Sequence, residues 1–173
     1  NRSDLKKMTI KILNKLVAVS VLSLAFTFVS CDEKQFFDEY QSTNGEWNKS
    51  DVKKFTFEQK DTLNPFNLFV NIRNNSDYPY NNLFLIVKMS NPNGDRFVDT
   101  LQYQMANPDG TLLGNGFTDY KESKLFYRED YKFPSTGTYT VEIEHAVRAN
   151  GKVKGDSLLL GVSDVGFRIE NIN

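Results

Sequence analysis

The sequence predicts an all-β protein: an antiparallel β-sandwich of eight or nine strands, immunoglobulin-like or jelly-roll, preceded by a lipoprotein signal peptide. Three observations predict it. Apolar residues recur with period two in short runs from Phe36 onward. Clusters of Gly, Pro, Asn and Asp separate the runs, and no window carries a helical period. A chain of 173 residues with 39% hydrophobic and 13% aromatic content holds one sizeable core rather than two.

The first segment is an address. Lys6, Lys7, Lys11 and Lys15 precede an apolar run from Leu16 to Ser30, which stops at Cys31-Asp32-Glu33-Lys34. As a helix the run reaches only about 22 Å, short of the roughly 30 Å hydrocarbon core, so it reads as a cleaved signal rather than a span. Phe28-Val29-Ser30-Cys31 resembles a bacterial lipobox, with Phe28 where Leu is usual, and Met8 is the candidate initiator. Cys31 is the only cysteine. Acyl chains on it, palmitate among them, would hold the protein at a membrane surface. The expected organisation is therefore signal peptide 1–30, lipidated Cys31 with a short tether or first strand over 31–48, and sandwich over 49–173.

Residues 1–30 hold five of the 21 basic side chains and one of the 22 acidic ones, leaving 16 and 21, a formal charge of −5. That balance argues against nucleic acid as a partner. One Cys and one His exclude a Cys/His zinc site and a disulfide framework.

The strands follow in order. Phe36–Tyr40 is followed by Lys53–Glu58, with Phe55 and Phe57 inward, and by Leu68–Arg73. A polar loop, Asn74–Asn82, leads to Leu83–Ser90, whose start is apolar on both faces and so belongs inside a sheet. Asn91–Asp95 and Asn107–Gly110 have the Pro and Gly placement of tight turns, which predicts a meander of Leu83–Ser90, Phe97–Met105 and the next segment. Leu125–Phe133 precedes the clearest alternation, Thr138–Arg148, with Tyr139, Val141, Ile143, His145 and Val147 inward. Lys152–Leu160 and Gly161–Glu170 complete the set.

Catalytic motifs are absent: no G-x-S-x-G, P-loop, G-x-G-x-x-G or H-E-x-x-H. His145, on the apolar phase of its strand, reads as a core or edge histidine, and Glu142 and Glu144 read as a solvent face. Asn91–Asp95 has one carboxylate, too few for a calcium loop. The expectation is a protein that is not an enzyme and carries no metal or other cofactor. Asp61-Thr62-Leu63, Asp99-Thr100-Leu101 and Asp156-Ser157-Leu158 resemble the Asp-Ser/Thr-apolar acceptor of Bacteroidota O-glycosylation, which makes Thr62, Thr100 and Ser157 candidate sites. Trp47, Tyr78 and Tyr80 are the aromatics outside the inward strand phases, and they supply the rival reading of a surface or periplasmic glycan-binding lipoprotein.

Phe37-Asp38-Glu39-Tyr40, Trp47, Phe55-Thr56-Phe57 with Asp61-Thr62, Asn67 to Asn74, Tyr78 to Leu83, Gly137-Thr138-Tyr139 and Asp164 to Glu170, together with the lipobox, resemble the GldH family of gliding-motility lipoproteins of Bacteroidota. The resemblance implies an outer-membrane lipoprotein, on the periplasmic face or the cell surface, that serves surface gliding and is tied to type IX secretion. It implies partners among motility and secretion envelope proteins and gives no catalytic residue. On this reading the Asn74–Asn82 loop, with Arg73, Tyr78, Tyr80 and Asn82, is the candidate partner-binding surface, and an exposed edge strand is a second.

Overall fold

The computed structural model describes residue 2 and residues 35–116, 119–148 and 155–172. The signal segment, Cys31 and most of the predicted start of the Lys152 strand lie outside the described residues.

Ten strands are present among the described residues: β1 Gln35–Ser42, β2 Glu46–Asn48, β3 Lys53–Gln59, β4 Phe66–Asn74, β5 Asn82–Ser90, β6 Arg96–Gln104, β7 Lys121–Tyr131, β8 Gly137–His145, β9 Leu158–Leu160 and β10 Val162–Asn171. Their pairing is nested. β5 pairs with β6, β4 with β7, β3 with β8, β2 with β9 and β1 with β10, all antiparallel. The chain is thus one long hairpin whose tip is the 91–95 turn and whose arms wind around a common core. Cross-pairing of β10 with β4 and of β5 with β8 closes two four-stranded sheets, β1-β10-β4-β7 and β3-β8-β5-β6. Between the two predicted topologies, this winding is the jelly-roll.

Alternation drives the packing. In β3, Phe55 and Phe57 turn inward while Lys54 and Thr56 stay exposed. In β8, Tyr139, Val141, Ile143 and His145 are buried, and the phase continues to Val147 beyond the strand. Phe57 lies at the centre, with rings of Tyr139 at 5.6 Å, Phe133 at 5.7 Å and Phe167 at 6.2 Å. Each ring buried in such a cluster contributes about 2–3 kcal/mol from apolar area alone.

Two expectations need correction, and one choice between alternatives is made. The strand count is ten because β2, three residues with Trp47 as their one apolar side chain, is too short to show a period. Of the two readings of residues 31–48, tether or first strand, the described part takes the strand: β1 pairs with β10 from Gln35 to Ser42, with a register shift at Phe36. The predicted three-strand meander stops after two: β5 and β6 form a hairpin, and the chain then crosses to β7 in the other sheet. The Asn107–Gly110 turn closes only a small local loop, with Gly110 N–H donating to the Asn107 carbonyl and an isolated bridge between Ala106 and Leu112. β5 lies between β8 and β6 as its two-faced apolarity predicts, although its outward Phe84 and Ile86 are only half-buried.

The nested winding gives the sandwich two unlike ends. At the entry end, where the chain enters β1, the connections are 60–65, 91–95 and 132–136. At the opposite end, the crown, they are 43–52, 75–81, 105–120 and 146–161, which include β2 and β9. Asn91 is buried and shapes the 91–95 turn: its Oδ1 accepts N–H groups of Asn93 and Asp95 at 3.0 and 2.9 Å.

Candidate functional site

Two open hollows lined by described residues lie at the crown. The larger, about 480 Å³, is lined by Arg73, Asn115, Tyr120, Lys121, Glu122, Ser163 and Asp164. It forms where β4, β10 and β7 end side by side, because the register puts Arg73 opposite both Asp164 and Glu122. Arg73 projects from the solvent face of β4, opposite in phase to the buried Leu68, Val70 and Ile72.

Arg73 is held on three sides. Its Nε donates to Glu122 Oε2 at 2.6 Å, its guanidinium sits 4.0 Å over the Tyr40 ring, and the Tyr40 hydroxyl donates to Glu122 Oε1 at 3.1 Å. Asn71 Nδ2 donates to the same hydroxyl at 2.9 Å. Tyr40 lies flat because Gly166 lacks a side chain: a Cβ there would meet the ring at 2.9 Å. Burial, then the Glu122 carboxylate, push the Tyr40 phenol up to about 12. Hydrogen bonding to Glu122 raises the Arg73 pKa against the opposing effect of burial. A lone exposed ion pair is worth about 0–1 kcal/mol, but this one has a stacked, hydrogen-bonded guanidinium with little rotamer freedom left to lose. Arg73 and Glu122 still present 43% and 42% of their side-chain surface to solvent.

The second hollow, about 310 Å³, lies on the other sheet and is lined by Asn81, Asn82, Gln102, Gln104, Ala106 and Pro108. Asn82 faces Gln104 across the β5–β6 ladder, which brings two of its four carboxamides together. The Asn81 carbonyl receives the N–H groups of Met105 and Ala106 at 2.7 and 3.1 Å and fixes the rim. No charged side chain lines this hollow.

The predicted partner-binding residues therefore do not form one surface. Arg73 belongs to the first hollow and Asn82 to the second. Tyr78, expected to be free, is buried in the core with its hydroxyl donating to the Asn82 carbonyl at 2.8 Å, and burial raises its pKa. Tyr80 is half-buried, and its hydroxyl donates to the Asp156 carboxylate of the 146–161 connection. Trp47, also expected to be free for sugar stacking, is fully buried: its Nε1 donates to the Asp51 carbonyl at 2.8 Å and its ring meets His145 edge-on at 5.2 Å. Trp47 and Tyr78 sit in loop-like sequence that folds back under the crown, so neither of these two rings forms a sugar platform.

His145 is a core residue, and desolvation lowers its pKa against an opposing pull from the Trp47 backbone. Among the described residues no group of three or more His, Cys, Asp or Glu could hold a metal. No helix among them is long and apolar enough to cross a membrane. Thr100 and Ser157 are exposed, on β6 and just before β9, and Thr62 is half-buried in the 60–65 turn. Cys31 lies outside the described residues.

The β6 and β7 edges are latched to each other by side chains. Tyr103 donates its hydroxyl to the Phe126 carbonyl at 2.6 Å, and Asp99 accepts from Tyr127 at 2.7 Å and from Arg128 at 2.8 Å. Burial alone would raise the Asp99 pKa, but Arg128 and Tyr127 outweigh it and hold the carboxylate below its ordinary value. Tyr103 thus occupies one carbonyl that a partner strand would need on β7. Tyr40 and Glu122, which organise the first hollow, were missed by sequence reasoning. Their one signal is that both occupy outward phases of strands in the sheet of Arg73, Glu122 on the adjacent β7 and Tyr40 on β1, across β10.

Comparison with known proteins agrees with the residue pattern. The model of the GldH lipoprotein family matches residues 35–169. The chain is 55% identical to the gliding motility lipoprotein GldH of Flavobacterium johnsoniae, over 87% of this chain and 93% of that protein. It is 49% identical to the gliding motility lipoprotein GldH homolog of Christiangramia forsetii, over 88% and 96%. Among solved structures, part of a family GH115 4-O-methyl-alpha-glucuronidase aligns with a TM-score of 0.43 and 11% identity, over 84% of this chain and 19% of that one, a likeness too loose to bear on activity. The chain belongs to the GldH lipoprotein family.

Proposed function

We propose that this lipoprotein is a non-catalytic assembly module of the gliding-motility machinery associated with type IX secretion. Acyl chains on Cys31 hold it at the outer membrane, and the crown is the surface that meets other envelope proteins. The observation that carries the reading is the Tyr40–Arg73–Glu122 cluster, a rigid, partly exposed Arg/Tyr site beside an open hollow. Pre-organised Arg and Tyr are the residue types that dominate binding energy at interfaces. Membrane tethering raises the local concentration of the module, so each contact can be weak.

Affinity capture of tagged protein from gliding cells, scored for motility and secretion envelope proteins, tests the reading. Arg73→Ala should reduce capture at least about fivefold, the effect of losing roughly 1 kcal/mol at a hot spot. Equal capture by wild type and Arg73→Ala sinks the crown as the contact surface. Tyr80→Phe, which removes only the hydroxyl bonded to Asp156, asks whether the 146–161 connection contributes. Protease treatment of intact cells separates a periplasmic from a surface-exposed domain.

One observation favours glycan binding as a second reading: the charge-free hollow of Asn81, Asn82, Gln102 and Gln104, whose carboxamides suit sugar hydroxyls. Retention on immobilised polysaccharide, lost in Gln102→Ala/Gln104→Ala, would establish it. O-glycosylation is proposed for Thr100 and Ser157, both exposed, and intact mass of the purified protein reads it directly.

A further inference from the structure

We propose that the entry end of the sandwich rests on the bilayer, with Leu63, Phe36 and Ile172 seated in the lipid interface. The inference builds on the lipidation of Cys31 proposed above. Asp32, Glu33 and Lys34 alone separate Cys31 from Gln35, the first residue of β1. Four Cα steps span at most about 14 Å. A nine-residue strand such as β5 is about 30 Å long, so the tether reaches the entry end and falls far short of the crown.

Three exposed apolar side chains of that end lie around Phe66. Phe36 contacts the Phe66 ring at 5.4 Å, Asn171 pairs with Phe66 across β10 and β4, Ile172 follows Asn171, and Leu63 precedes Phe66 by three residues. Leu63 is 81% exposed, more than any other large apolar side chain among the described residues, and Phe36 and Ile172 are each 38% exposed. The turn that displays Leu63 is built rather than loose. The Asp61 carboxylate accepts the N–H groups of Leu63 at 2.8 Å and Asn64 at 3.0 Å, and the Asn64 side-chain amide at 2.7 Å. The three entry-end connections carry Lys60, Lys132, Asp61 and Asp95, two charges of each sign. The partner surface therefore has no need of net charge, and apolar seating in the interface supplies the contact. One corollary is that Thr62, beside Leu63, is the unmodified member of the three glycosylation candidates, because a glycan there would stand between Leu63 and lipid.

The mature protein has no thiol other than Cys31, so Leu63→Cys offers a single site for an environment-sensitive fluorophore once Cys31 is acylated. The labelled lipoprotein is reconstituted in phosphatidylcholine vesicles containing nitroxide-bearing lipid, and Thr111→Cys, exposed on the crown, serves as the reference. Quenching at position 63 should exceed that at 111 at least about threefold, as expected for a group seated 5–10 Å into the headgroup boundary. Ile172→Cys should behave like position 63. Equal, weak quenching at 63 and 111 in protein whose intact mass confirms acylation overturns the inference and leaves the anchor standing. Absence of acyl mass on Cys31 overturns both. Quenching that appears only with protein concentration, in step with self-association, assigns the patch to a second copy instead and overturns the bilayer contact.

Discussion

At the entry end, three short connections close the sandwich and two of them are stabilised mainly within themselves: Asn91 organises the 91–95 turn and Asp61 the 60–65 turn, while the third, 132–136, is held by Phe133 in the core. At the crown, the connections are longer and stabilise one another. Gly161 N–H donates to the Gly45 carbonyl, Asn75 N–H donates to the Gly161 carbonyl, Thr43 bonds to the Val162 carbonyl, and β2 lies against β9. The difference teaches where variation is tolerated. A locally satisfied turn can change its exposed side chains freely, whereas a change at the crown propagates through several connections at once.

That contrast can be broken by substitution. The largest expected effect is Trp47→Ala, which empties the buried anchor beneath the crown and should cost about 3–5 kcal/mol, while Leu63→Ala at the entry end should stay within about 0.5 kcal/mol. Chemical denaturation followed by far-UV circular dichroism measures both. Equal effects would erase the distinction between the two ends.

Next in size is a pair of glycines with similar backbone. Gly161 (φ +78°) and Gly94 (φ +88°) both occupy the left-handed region, but a Cβ at Gly161 would meet Tyr78 N at 2.2 Å and one at Gly94 meets nothing within 4 Å. Gly94→Ala should cost about 1–2 kcal/mol from backbone conformation alone, and Gly161→Ala distinctly more. Similar costs would show that the crown relaxes around the added methyl.

Smaller again is a pH effect at His145. Its folded pKa lies below the unfolded value, so the neutral imidazole contributes stability that is fully present above about pH 6.5 and is lost as pH falls through the folded pKa. The slope in that window should be at most about 1.4 kcal/mol per pH unit for this one group, and His145→Phe should remove it. Trp47, the single tryptophan and its ring neighbour, reports the transition by fluorescence. The smallest effect is Glu122→Gln, expected to cost about 0.5–1 kcal/mol. Its sharper readout is spectroscopic: loss of the carboxylate charge should bring the Tyr40 phenol down from about 12 toward its ordinary value of 10.0, visible by ultraviolet titration.

Sequence periodicity was strong wherever one face of a strand is buried, which is why β3 and β8 could be read almost residue by residue. It failed for β2, whose three residues fall below one full alternation, and for the crossing after β6, because periodicity carries no information about which sheet a strand joins. Arg73 was legible as a charged residue at a strand end. Its partners Tyr40 and Glu122 were not, since they lie 33 and 49 positions away and only the register of β1, β10, β4 and β7 brings them together. Trp47 and Tyr78 misled for one reason: an aromatic in a polar loop looks exposed until the loop folds back over the core.

The nested winding also orders events in time. β10, the last of the described strands, lies between β1 and β4 within its sheet, and Asp38 and Arg168, which join the two outermost arms of the winding, are 130 positions apart. With contacts of such long range the loop-closure entropy is large and folding is slow. An envelope protein threaded across a membrane from its N-terminus would carry β1 out long before β10, so the sheet cannot close until β10 has crossed. Between those moments β1 and β4 would stand with open edges beside the bilayer, an interval in which the chain is vulnerable to proteases and to mispairing.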